Sequence, residues 1–147
     1  MVLTGTFVRS VDDKLRIAIP KRLRDAFGQE NPLELYVTPG ADGSLAIYSE
    51  SALAALARRL AEASPAQQDV RAFNRLFYAR AERVEVDTQG RIRLPATLAE
   101  LAALGKEAVL LGVHDHLELW DRQRWEAYLA GKESHYDQIA ESAFGGP

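Results

Sequence analysis

The sequence predicts an α+β fold in which one small β-turn-β-α-β-β unit is used twice, the two copies packing on each other beside flanking helices. Three observations predict it. Val11-Asp12-Asp13-Lys14-Leu15-Arg16-Ile17-Ala18-Ile19-Pro20 returns as Val86-Asp87-Thr88-Gln89-Gly90-Arg91-Ile92-Arg93-Leu94-Pro95, with Asp12 and Asp87, Arg16 and Arg91, and Pro20 and Pro95 in register. Short β-branched and aromatic runs alternate with Gly- and Pro-rich turns. Ala- and Leu-rich stretches with helical spacing separate and follow the copies.

Each element has a local cause. Thr6 to Val11 reads as a strand, and Asp12 to Leu15 as a turn, because an Asp side chain bonds backbone N–H groups two residues on. Arg16 to Ile19 is a second strand. Pro20 keeps Ile19 extended and occupies the first helical position of a helix over Lys21 to Phe27, stopped by Gly28. Leu33 to Thr38 and Ser44 to Tyr48 flank Pro39-Gly40-Ala41-Asp42-Gly43, which has hairpin chemistry. Glu50 to Ala63 is rich in strong helix formers. Ser64-Pro65 reads as the start of the next helix, whose Val70, Phe73, Leu76 and Phe77 share a face.

The second copy repeats the pattern. Arg83 to Val86 and Arg91 to Leu94 are strands around the turn Asp87 to Gly90. Pro95 opens a helix from Ala96 to Leu104, stopped by Gly105. Val109 to Val113 and Leu117 to Trp120 form the closing hairpin. Arg122 to Ile139 reads as a terminal helix, pinned to that hairpin through Trp120, Trp125 and Tyr128, and Gly145-Gly146-Pro147 as a loose tail. Half of a 147-residue chain is too small to bury its apolar surface alone. An interleaved hairpin barrel, each half supplying strands to the other, is one way to share a core.

Composition narrows the function. The chain has no cysteine, so neither a disulfide framework nor a thiolate metal site. It lacks both a signal-peptide pattern and a run of ~18 apolar residues, and the expected location is the cytoplasm. Net charge is −3, but its distribution is uneven. Residues 1–24 carry six Lys or Arg against two Asp, and residues 112–147 carry three against seven Asp or Glu. The local field decides where a polyanion lands.

The repeated Asp-x-x-x-Arg carries the strongest chemical signal. Asp12 and Asp87 hold the turns, while Arg16 and Arg91 present planar forks suited to phosphate oxygens or guanine edges. The alternative account is an internal ion pair that only steadies each turn. Lys14, Lys21, Arg22 and Arg24 thicken the positive charge of the first copy. The second copy has Ala96, Thr97 and Ala99 on the matching helix, leaving Arg91 and Arg93 as a smaller spot. Arg71, Arg75, Arg80 and Arg83 make a third basic stripe, either solvated or paired with acidic residues of a neighbouring subunit. His114-Asp115-His116 falls where a hairpin turn is needed and has no further ligand at helical spacing, so no metal is expected. Ser134, His135 and Asp137 lie on the presumed terminal helix without a nucleophile elbow. No phosphate-cradling glycine loop occurs, and the sequence predicts neither enzyme nor cofactor nor small-molecule substrate.

Asp12 to Arg16 with Ile19-Pro20, Asp87 to Arg91 with Leu94-Pro95, and Leu117-Glu118-Leu119-Trp120-Asp121 together resemble the MraZ family of bacterial transcriptional regulators. The linking helix with Arg71, Arg75 and Ala79 fits as well, and the likeness runs from about Leu3 to about Tyr128. The resemblance implies two swapped-hairpin domains of the AbrB type, at 5–52 and 81–124. Linking helices would span 53–80, and a C-terminal helix and tail 125–147. It implies a nucleoid-associated repressor that binds short direct repeats of double-stranded DNA in the promoter of the division and cell-wall gene cluster. It also implies a ring-forming homo-oligomer that is not membrane-bound. Carried onto this chain, Arg16 and Arg91 face DNA and Asp12 and Asp87 shape the loops, with Lys14, Lys21 and Arg22 completing the expected DNA face. Leu15 stands where the family has Gly, as Gly90 does in the second copy, so the first turn is expected to differ in shape. The competing reading is an oligomeric protein-interaction scaffold or antitoxin-like module whose basic patches bind an acidic protein.

Overall fold

The computed structural model describes residues 1–145; Gly146 and Pro147, part of the expected tail, lie outside the described residues. In chain order the elements are β1 (Thr6–Ser10), β2 (Arg16–Ala18), α1 (Lys21–Phe27), β3 (Glu34–Pro39), β4 (Leu45–Tyr48), α2 (Glu50–Leu60) and α3 (Gln68–Arg80). There follow β5 (Glu82–Glu85), β6 (Arg91–Arg93), α4 (Ala96–Leu101), β7 (Glu107–Val113), β8 (His116–Asp121), α5 (Arg122–Lys132), a 3₁₀ turn (Glu133–His135) and α6 (Tyr136–Phe144).

The strands of the two copies interleave within one chain. A six-stranded antiparallel sheet runs β1-β7-β8-β4-β3-β5, and β2 pairs with β6 in a separate two-stranded ribbon. Exchanging first-copy strands for second-copy strands leaves the order unchanged. The pseudo-two-fold axis passes between Ala46 and Glu118 at the sheet centre, and between Ile17 and Ile92 in the ribbon. The expected barrel does not close: β1 and β5 are the edges of an open sheet. The strands placed to bridge those edges, β2 and β6, bond to each other instead.

This arrangement gives both copies one core. Leu35, Val37, Leu45 and Ile47 of the first hairpin and Leu110, Leu117 and Leu119 of the second meet Ile17 and Ile92 beneath the ribbon. Leu23 of α1 and Leu98 of α4 close it. Each such side chain taken out of water contributes roughly 1.5–3 kcal/mol. The other face of the sheet is covered by helices. Ala46 and Tyr48 pack on Ala52, Leu53 and Leu56 of α2. Val109, Leu111 and Trp120 pack on Trp125 of α5, and Tyr128 joins at 5.1 Å from the Trp120 ring. Covering on both sides explains why every residue of β4 is buried.

Several boundaries differ from the sequence expectation. Pro20 and Pro95 sit just before α1 and α4 with extended ψ, so they end strands and cap helices rather than occupy the first turn. Helix α3 begins at Gln68, because the Ser64 hydroxyl accepts the Ala66 N–H in a tight turn instead of capping. Helix α4 stops at Leu101, and Ala103 takes the left-handed conformation. Gly105, the expected stop, donates its N–H to Asp121. The terminal helix breaks into α5 and α6 at a 3₁₀ turn beside Gly131, a weak helix former. No helix among the described residues is long and apolar enough to cross a membrane.

Because Ile17 and Ile92 are both fully buried and face each other across the axis, Ile17→Ala and Ile92→Ala should each cost about 2–5 kcal/mol. Urea denaturation should show a single transition lowered to a similar extent by either change. Two separately shifted transitions would mean that the copies fold independently.

Candidate nucleic-acid interface

The two Asp-x-x-x-Arg loops have the same internal bonding. Asp12 Oδ1 accepts the N–H groups of Lys14 (3.0 Å) and Arg16 (2.8 Å), and Oδ2 accepts Arg16 Nε at 2.7 Å. Asp87 Oδ1 accepts the N–H groups of Gln89 (2.8 Å) and Arg91 (2.9 Å), and Oδ2 accepts Arg91 Nε at 3.0 Å. The Arg backbone N–H bonds are the main reason both carboxyls titrate below the ordinary Asp range; the side-chain bonds to the same arginines add to the effect.

The expected difference in shape at Leu15 does not occur. Leu15 adopts φ 59 and Gly90 φ 81, both left-handed. In that conformation each residue turns its carbonyl onto the other copy: Leu15 accepts the Leu94 N–H (2.8 Å) and Gly90 accepts the Ile19 N–H (2.9 Å). The left-handed residue thus serves as a latch between the copies. Leu15 offsets its backbone strain by packing its side chain against the core. At Gly90 the corresponding space is taken by Arg24, whose guanidinium carbon would lie 2.7 Å from an added β-carbon and whose Nε donates to the Ile19 carbonyl. The position matching Arg24 in the second copy is Ala99.

Strand alternation then sorts the ribbon. Ile17 and Ile92 point inward, while Arg16, Ala18, Arg91 and Arg93 share the outer face. Arg16 lies directly opposite Arg93, and Arg91 opposite Ala18. Three guanidinium groups therefore crowd a patch three residues long and two strands wide. Asp12 and Asp87 each engage one of them through Nε, leaving both terminal nitrogens of Arg16 and of Arg91 without a hydrogen-bond partner among the described residues. Arg93 is exposed, with no ion-pair partner among the described residues. Like charges directly across a ladder are destabilising, so the outer face is arranged for something other than stability.

The remaining expected residues separate into two groups. Lys14 is exposed at the tip of the first loop, next to Asp13; the second tip, Thr88-Gln89, is uncharged. The α1 cations are already engaged. Lys21 pairs with Asp25 at 2.7 Å, and Arg22 donates to the Thr4 carbonyl at 3.1 Å and lies over the Phe7 ring. Arg93 was legible from its period-two spacing after Arg91, but its position opposite Arg16 required the cross-copy register. The His114 to His116 segment forms the β7–β8 turn. His116 bonds Asp115, stacks on Tyr48 and is held protonated to higher pH mainly by Glu118, with Asp115 adding to the effect. No group of three His, Asp or Glu side chains among the described residues is placed to hold a metal ion.

Two predictions follow from the loops. A β-carbon at φ 81 costs about 1–2 kcal/mol, and at Gly90 it also displaces Arg24. Gly90→Ala should destabilise in urea titrations, and Arg24→Ala in the same chain should recover part of the loss; strictly additive effects would contradict the contact. The Asp12 and Asp87 carboxyls are lowered in the folded state, so their contribution is fully present above the unfolded value of 3.8 and is lost as pH falls through the folded values. Asp12→Asn should therefore lower the melting temperature at neutral pH, and the gap from the parent chain should close in the acid range below about pH 4.

Comparison with known proteins agrees with this architecture. The family model described as "MraZ protein, putative antitoxin-like" matches twice, at residues 2–76 and 77–145. "Transcriptional regulator MraZ" of Nocardia farcinica (strain IFM 10152) is 41% identical over 142 residues, 97% of this chain and 96% of that one. The protein of the same name from Rhodococcus opacus (strain B4) is 40% identical over 96% of each chain, and that from Alkaliphilus oremlandii (strain OhILAs) 38% identical over 92% of each. With both repeats matched and relatives aligned along nearly its full length, the chain belongs to the MraZ family.

Proposed function

We propose that this chain is a DNA-binding transcriptional regulator, acting as a repressor, with Arg16, Arg91 and Lys14 reading DNA and Arg93 beside them. The observation that carries the reading is the outer face of the β2–β6 ribbon, where Arg16, Arg91 and Arg93 gather under a pseudo-two-fold axis. The major groove of B-DNA is wide enough for a two-stranded ribbon, and Arg forks match guanine edges and phosphates. Lys21 and Arg22 would join at the edge by exchanging Asp25 and Thr4 for phosphate oxygens.

The names of the relatives support regulation of transcription. The proposed targets are direct repeats in the promoter of the division and cell-wall gene cluster, bound by a homo-oligomeric ring in the nucleoid of the cytoplasm, as the repeated motif's resemblance implies. A ring also suits the charge balance: many modest positive ribbons on one rim, each meeting one repeat, bind by avidity without a basic chain. The interleaved strand order supports swapped-hairpin units of the AbrB type at 5–52 and 81–124, joined by 53–80 and followed by 125–147. The side chains of the ribbon are read as binding groups, and no catalytic role is assigned.

The test is a mobility shift on the DNA upstream of the chain's own gene, beside a scrambled fragment. Log affinity should fall with log salt at about −0.9 per phosphate contact. Arg16→Ala should weaken cognate binding by roughly 1–3 kcal/mol and narrow the gap to scrambled DNA, as expected for a base contact. Equal shifts for parent and variant would remove Arg16 from the interface. A flat salt response would favour an acidic protein as the partner of the basic face.

A further inference from the structure

The outer face of the ribbon has four corners. Arg16 and Arg93 stand opposite each other in the row next to the first loop, and Ala18 and Arg91 in the row next to the second. Ile17 and Ile92 lie between the rows and point inward. A half-turn about the axis between those isoleucines exchanges Arg16 with Arg91, which leaves those two corners unchanged. It also exchanges Ala18 with Arg93, and there the match fails. Without that one difference the ribbon would present the same residues to DNA in either direction.

The unmatched arginine is also the least restrained. Asp12 and Asp87 anchor Arg16 and Arg91 at Nε, each from four residues earlier in the chain. The residue at that spacing before Arg93 is Gln89, which has no carboxylate. Arg93 is exposed and forms no ion pair among the described residues. It stands directly across from Arg16, where like charges are destabilising. Lys14 adds a further cation at this end, whereas Arg24 lies at the other loop with its Nε donated to the Ile19 carbonyl. The chemistry of the corners differs in kind. An Arg fork pairs with guanine O6 and N7, and an Ala methyl packs on the methyl of thymine. A strand rises about 3.3 Å per residue, so rows two residues apart stand about two base-pair steps apart along a groove.

Resting on the DNA reading above, we propose that Arg93 is the residue that gives this protein a direction on DNA. Arg16 and Arg93 take guanines at one end of the site, Arg91 takes one at the other, and Ala18 packs on a thymine methyl at the corner related to Arg93 by the axis. A site turned end for end sets Arg93 against thymine and Ala18 against guanine, and both contacts are lost. In a ring whose subunits all face the same way round, such ribbons select repeats that all run the same way.

Mobility shifts on the full chain test it, comparing the DNA upstream of the chain's own gene with the same fragment carrying one protected repeat inverted. The parent should bind the inverted fragment roughly 5- to 150-fold more weakly, the usual discrimination by a bidentate base contact. Arg93→Ala should weaken binding to the native fragment and bring the two fragments level. Ala18→Arg should reach the same indifference from the other side, by strengthening binding to the inverted fragment. Arg93→Gln should move the preferred base at its corner from guanine to adenine, read by replacing each base pair of a repeat in turn. A contact to backbone phosphate would instead weaken both fragments alike and reduce the salt slope by about 0.9. That result overturns the proposal, as does an Arg93→Ala variant that keeps the parent's preference or a parent indifferent to inversion. Circular dichroism checks the fold; Arg93 is exposed, and its variants decide the matter if the half-buried Ala18→Arg departs from the parent spectrum. Where the parent binds the promoter and Arg16→Ala weakens that binding, but the Arg93 variants keep the preference, the proposal fails alone. Where the parent does not bind promoter DNA, the DNA reading fails and the proposal with it.

Discussion

Two backbone carbonyls determine the geometry on which everything else depends. Leu15 and Gly90 each turn a carbonyl out of its own loop and onto the strand end of the other copy. Those bonds require left-handed backbone, which sets the shape of both loops. The loop shape places each Asp where it can accept two N–H groups and one Nε, and that holds each Arg root on the outer face of the ribbon. The surface charge pattern is therefore a consequence of how the copies are joined. A substitution that alters the joint also alters the surface.

The joint is solved differently in the two halves. At one loop the strained residue has a large side chain that reaches the core; at the other it has none, and an arginine from α1 fills the space. Strain offset by burial and strain avoided by glycine lead to the same bonding. The copies also differ in charge, with Lys14 and Arg24 on one and Gln89 and Ala99 in their places on the other; because Arg24 lies against Gly90, the two cations stand at opposite loops of the ribbon.

Much of the architecture was legible because it was written twice. Repetition exposed Asp12, Arg16, Asp87 and Arg91 as a unit, and Pro20 and Pro95 marked the starts of the two short helices. Features set by contact between the copies were not legible. Nothing local distinguishes Leu15 in a left-handed turn from Leu15 in an ordinary one; only the Leu94 N–H that it serves makes the difference. The pairing of Arg16 with Arg93, and of β2 with β6 rather than with the sheet edges, is equally long-range. The start of α3 differs from the sequence expectation because Ser64 has two short-range options, and the turn prevails.

The interleaved order also bears on the chain's birth. Val8 pairs with Val109 and Leu35 with Val84, so most of the core is joined across long stretches of polypeptide. While the ribosome has delivered only the first copy, β1 has no neighbour and the apolar faces of β3 and β4 stand open. Such non-local pairing slows folding and prolongs the exposure of sticky edges. Nascent chains of this protein therefore have reason to meet a chaperone before the second copy emerges.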